Sequence, residues 1–171
     1  MHPITKFGLA ALGAGLMLTS TTADAQARRA GHVRGSNGAA TVVSGPNGTA
    51  ARAGGARRNA DGSVTAASGG AFRTATGATG VRGSTTTVNP DGSGNRTSGL
   101  SSSGARGSLN SSSNVSRAAD GSYSGGRSTT ATSTATGNTY SGSTQIDPAT
   151  GKPVYSGTCT NASGQTITCP R

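Results

Sequence analysis

The residues that could do chemistry are few and far apart. The carboxylates after Asp24 are Asp61, Asp91, Asp120 and Asp147, and the chain has no Glu. His32 is the only histidine after His2, and Cys159 and Cys169 complete the set. Acid–base catalysis would need two carboxylates at one site. Here Asp61, Asp91 and Asp120 stand 30 and 29 residues apart, and each precedes a glycine and a serine. Asp61-Gly62, Asp91-Gly92 and Asp120-Gly121 therefore read as turns, since Asp bonds its own downstream backbone and Gly takes positive φ without a Cβ clash. A metal at His32 would need further ligands close by, and the sequence supplies none. Serine is abundant, but without a base it is only a hydroxyl. The inventory predicts no enzyme, no metal and no cofactor.

The cysteines suggest covalent structure instead. Asn161-Ala162-Ser163-Gly164 is a turn signal, and Cys159 and Cys169 are equidistant from Gly164. A hairpin centred there sets them opposite each other, and two cysteines in an exported chain predict a disulfide. Zinc would require more ligands, and a redox Cys-x-x-Cys is absent.

Charge is lopsided, with 15 Lys and Arg against 5 Asp and a net charge of +10. After the Arg28-Arg29 and Arg57-Arg58 pairs the arginines come singly, at Arg73, Arg82, Arg96, Arg106, Arg117 and Arg127. Charges spaced in this way read as a solvated, self-repelling surface. The second reading is attraction to anionic surfaces or polymers such as lipopolysaccharide or extracellular DNA, which salt would weaken steeply. Arg-Gly-Ser triplets at Arg34, Arg82 and Arg106 read as turns; binding RNA would need stacking rings, and aromatics are scarce.

The elements that would carry these residues are set by glycine. Asn47-Gly48 begins a series continued by the Asp-Gly pairs and, between them, by Thr76-Gly77, Arg106-Gly107 and Thr136-Gly137, with Thr150-Gly151 and Ser163-Gly164 last. Each unit then holds two strands and two turns. A period in this range marks a repeat fold whose units bury their faces only against neighbours. The expected class is all-β: repetitive antiparallel hairpins, as a meander of about eight to ten strands or a solenoid, and partly disordered. After residue 25 there are eight Val, two Leu, two Ile, one Phe and three Tyr, too few for an oily core. Gly54-Gly55 and Gly69-Gly70 read as bulges or interruptions. Thr130 to Thr136 alternates so that four threonines would share one strand face.

Domain limits follow composition. Residues 1–25 have the layout of a signal peptide: one Lys, a 12-residue apolar run from Phe7 to Leu18, then Ala23-Asp24-Ala25, with cleavage between Ala25 and Gln26. Residues 26–40 read as an unstructured basic lead-in, 41–146 as the hairpin repeats, and 147–171 as the disulfide-closed hairpin. No later apolar run is long enough to span a membrane.

The signal peptide, Gly45-Pro46-Asn47-Gly48-Thr49, the Ala-Asp-Gly-Ser runs ending at Ser63 and Ser122, the scattered arginines and the Cys-containing tail together resemble small secreted Gly/Ser/Thr/Arg-rich repeat proteins of Gram-negative bacteria. The resemblance implies export and carries over no site. The expected function is that of an exported, non-enzymatic β-repeat protein with a structural, surface or envelope role. The alternatives are a largely disordered polyanion binder and a chain that self-associates into fibres.

Overall fold

A computed structural model describes residues 28–169. Residues 1–25 and the Ala25–Gln26 cleavage site lie outside them. The described chain is all-β, eleven antiparallel strands in one open sheet whose spatial order is the sequence order. The strands are β1 (Arg29–Gly35), β2 (Gly38–Gly45), β3 (Gly48–Arg58), β4 (Val64–Thr74), β5 (Thr79–Val88) and β6 (Gly94–Gly104). They continue as β7 (Gly107–Arg117), β8 (Tyr123–Ser133), β9 (Thr139–Ile146), β10 (Pro153–Thr160) and β11 (Thr166–Ile167). Each strand contacts only its neighbours in sequence, so the sheet is a single layer. Hairpin chemistry has chosen the meander over the solenoid.

A single layer has no room for an oily core. Among the described residues only Ser63, Gly80 and Cys159 are buried. The fold is held by backbone ladders and cross-strand side-chain pairs. Hydroxyl pairs recur among these: Ser68–Ser84 at 2.9 Å, Ser98–Ser113 at 2.7 Å, Ser112–Ser128 at 3.0 Å and Ser143–Ser156 at 2.8 Å. Small side chains suit this layer, since little apolar surface is left to cover.

The turn series is borne out in detail. Gly48, Gly62, Gly77, Gly92, Gly107, Gly121, Gly137, Gly151 and Gly164 all have positive φ. The Asp-Gly pairs, however, are not two-residue hairpin turns. In loop 59–63 the Gly62 N–H donates to the Asn59 carbonyl at 3.1 Å and the Asn59 N–H to the Ser63 carbonyl at 2.8 Å. Loops 89–93 and 118–122 repeat these bonds. A tight turn followed by a left-handed glycine closes each loop.

Four readings from the sequence need correction. The sheet begins at Arg29, inside the segment read as unstructured, because residues 38–44 of β2 pair residue for residue with Arg29–Gly35 as well as with β3. Gly54-Gly55 and Gly69-Gly70 make no bulge; the β3–β4 register runs one to one through both pairs. Thr130 and Thr132 lie in β8, but the strand ends at Ser133, leaving Thr134 and Thr136 in the turn. Arg82-Gly83-Ser84 is the middle of β5, not a turn.

The last hairpin carries the Cys159–Cys169 disulfide, with Cα atoms 5.2 Å apart. Its centre is one residue earlier than expected. Cys159 pairs with Ile167 and Thr160 with Thr166, so Cys169 lies just past β11. The disulfide closes the hairpin from beyond the ladder.

Candidate functional site

Since every register is one to one, residues that pair across successive strands form rows on a single face. One row begins at Arg34 on β1, passes through Ser68, Ser84, Ser98 and Ser113 on β4 to β7, reaches Arg127 on β8 and continues to Thr144 and Tyr155. The next row on the same face holds His32, Arg52, Gly70, Arg82, Leu100 and Ser111. On the other side of the serines stands Arg96, two residues from Ser98 on β6. Arg58 and Arg117 also belong to this face, as do all four aromatic residues of the described chain, Phe72, Tyr123, Tyr140 and Tyr155.

The opposite face is different. Arg29, Arg57 and Arg73 are its arginines, and much of the rest is hydroxyl. One row there runs Ser103, Ser108, Thr132, Thr139, Thr160 across five strands. The sheet therefore has one face rich in arginine and one made mostly of hydroxyls, with three arginines among them.

The serine row floors a trough of about 740 Å³, lined by Arg34, Arg52, Arg82, Arg96, Arg127 and His32 with no acidic residue. Two contacts shape it. Arg127 Nε donates to Ser111 Oγ at 2.8 Å, which draws a β8 cation over β7. Gly70 separates Arg52 from Arg82, and a Cβ there would stand 3.7 Å from Arg82 Nε. The missing side chain leaves space for the guanidinium. His32 Nδ1 lies 3.0 Å from Thr41 Oγ1 at the edge strand.

The carboxylates are elsewhere. The four Asp among the described residues lie in loops at one end of the sheet, between β3 and β4, β5 and β6, β7 and β8, and β9 and β10. Asp61 Oδ1 accepts from the Ser63 hydroxyl at 2.6 Å and its N–H at 2.9 Å. Asp91 and Asp120 make the same pair of bonds with Ser93 and Ser122. Asp147 accepts from the Ala149 N–H and the Thr150 hydroxyl. These donors hold the carboxyls below the usual value; the serine hydroxyl leads for Asp61 and Asp91, the backbone N–H for Asp120 and Asp147. Each Asp is a loop-former. Arg117 Nη1 donates to the Gly92 carbonyl at 3.0 Å and Arg58 Nη1 to the Gly62 carbonyl at 3.4 Å, so these two arginines serve the loops rather than the trough.

No cluster of His, Cys, Asp or Glu among the described residues is placed to hold a metal ion, and no helix there is long and apolar enough to cross a membrane. What the trough offers is guanidinium groups above hydroxyls, a donor set that fits anions. No protein-family model matches the chain, and comparison with curated proteins and with solved structures gave no match.

The sequence reading singled out the turn residues and the cysteines, and missed the arginine face. A signal for it was present. Arg52 and Arg82 are one repeat apart, and so are Ser68 and Ser98. Two strands per repeat return a side chain to the same row.

Proposed function

We propose that this is an exported, non-enzymatic β-repeat protein of the cell surface or envelope, and that its arginine face binds an anionic polymer. The observation that carries the reading is the acid-free trough: five arginines share it, while the described carboxylates are bonded into loops at one end of the sheet. Without compensating charge, those guanidinium groups repel one another and favour a counter-charged partner. The disulfide suits an oxidising compartment.

Retention on immobilised dextran sulfate tests this reading. The protein is expected to bind at ~50 mM salt and to elute well before ~500 mM, as release of condensed counterions requires. Replacing Arg52, Arg82 and Arg96 together by Gln should abolish retention, whereas replacing Arg57 and Arg73 on the other face should not. Equal loss from both variants would reduce the effect to net charge and overturn the reading.

A second reading rests on the strand edges. β11 pairs only with Cys159 and Thr160, so Pro153–Thr158 of β10 has a free edge among the described residues, as does β1. Open edges can join copies head to tail. Sedimentation velocity over a hundredfold range of concentration separates a monomer from such a filament.

A further inference from the structure

We infer that the partner of the trough is a linear acidic polysaccharide whose charged groups are sparse, about one per two sugars, rather than a nucleic acid. The inference rests on the polyanion reading above and adds the class of polymer. It is carried by spacing. Arg52 and Arg82 are attached to alternate strands of one row, and Ser111, which holds Arg127, is two strands further along it. Strands stand about 4.8 Å apart, so cations recur at roughly 10 to 14 Å along this row, while Arg96 is set apart on the other side of the serines. A nucleic-acid strand in a duplex carries a phosphate about every 3.4 Å of its axis. Most of its phosphates would lie over neutral floor. A polymer with an anion on every second sugar would bring its charges at close to the interval at which the cations occur.

The floor agrees with that assignment. Ser68 with Ser84, and Ser98 with Ser113, are hydrogen-bonded in pairs across β4 to β7. A hydroxyl can donate once and accept twice, so each pair keeps capacity for an outside partner. Sugar hydroxyls, between the anions, are such partners. The trough lining contains no Phe, Tyr or Trp on which a base could stack, and strands bound without sequence preference rely on that stacking. Guanidinium also grips a carboxylate through two parallel bonds.

The experiment titrates the purified protein with three probes of matched length at ~150 mM salt: a hyaluronate oligosaccharide with one carboxylate per disaccharide, an oligogalacturonate with one per sugar, and single-stranded DNA. The hyaluronate oligosaccharide should bind about tenfold more tightly than the DNA, and with a shallower salt dependence, since its sparse charges hold no condensed counterions to release. Arg82→Gln should weaken that binding about tenfold, while Arg73→Gln leaves it unchanged, and both should keep the β-sheet circular dichroism. DNA or oligogalacturonate binding as tightly as hyaluronate would overturn the inference and leave the polyanion reading standing. Binding of none of the three would overturn both.

Discussion

The ring of Phe72 on β4 covers Gly80, its directly paired neighbour on β5, in the space that a Cβ on Gly80 would fill. Gly80 is buried as a result, one of three buried residues described, although it sits in the middle of a single-layer sheet. Tyr140 does the same for Gly142 and Gly157, which pair with each other on β9 and β10. A ring laid over a glycine gains contact that a one-layer sheet otherwise lacks.

Gly80→Val should therefore push the Phe72 ring into solvent and cost about 1–3 kcal/mol, the usual effect of overpacking. Urea unfolding followed by circular dichroism measures it. Gly31→Ala is the control: a Cβ there meets nothing within 4 Å, and the change should fall within about 0.5 kcal/mol.

The Asp-Gly-Ser loops should loosen in acid. Their carboxyls are held below the ordinary value of 3.8 in the folded protein by serine N–H and O–H donors. A carboxyl whose folded value is depressed stabilises fully above its unfolded value, and that contribution fades as pH falls through the lower folded one. Amide exchange in loops 59–63, 89–93 and 118–122, corrected for intrinsic rate, should be flat from neutral pH down to about 4 and should rise below it. Asp91→Ala should remove this dependence in its own loop alone. A rise already under way at neutral pH would contradict the assignment.

Reducing the Cys159–Cys169 disulfide should act locally. The ten-residue closure contributes about 2–3 kcal/mol. Strands that touch only their neighbours pass little of that loss along the sheet. Hydrogen exchange should increase in β11 and at the Cys159 end of β10 while β3 to β8 stay protected. Loss of protection throughout would show the hairpin to be a cap that the whole sheet requires.

Gly70→Val tests the trough without removing a charge. Its side chain would stand between Arg52 and Arg82, against the Ala51 carbonyl 2.9 Å from the Cβ position and against Arg82 Nε. Displacing that guanidinium should weaken hyaluronate binding by about tenfold, the worth of one charge-assisted hydrogen bond. Titration beside the Gly31→Ala protein measures the difference.

Where the chain turns was legible from local chemistry alone. Gly48, Gly62, Gly92, Gly121 and their companions were legible because positive φ is a local demand that glycine meets alone, and Asp61 or Asp91 declares its loop by bonding a serine two residues on. All-β hairpins and the joined cysteines followed from the same local chemistry. The tertiary structure decided which face each arginine occupies. A strand shows a side chain to one face or the other by a single residue of register, and that register is passed from strand to strand through turns of different length. Arg73 and Arg82 look alike in the sequence. The turn between β4 and β5 sends Arg73 to the hydroxyl face and Arg82 to the trough, and no local pattern around either residue records it.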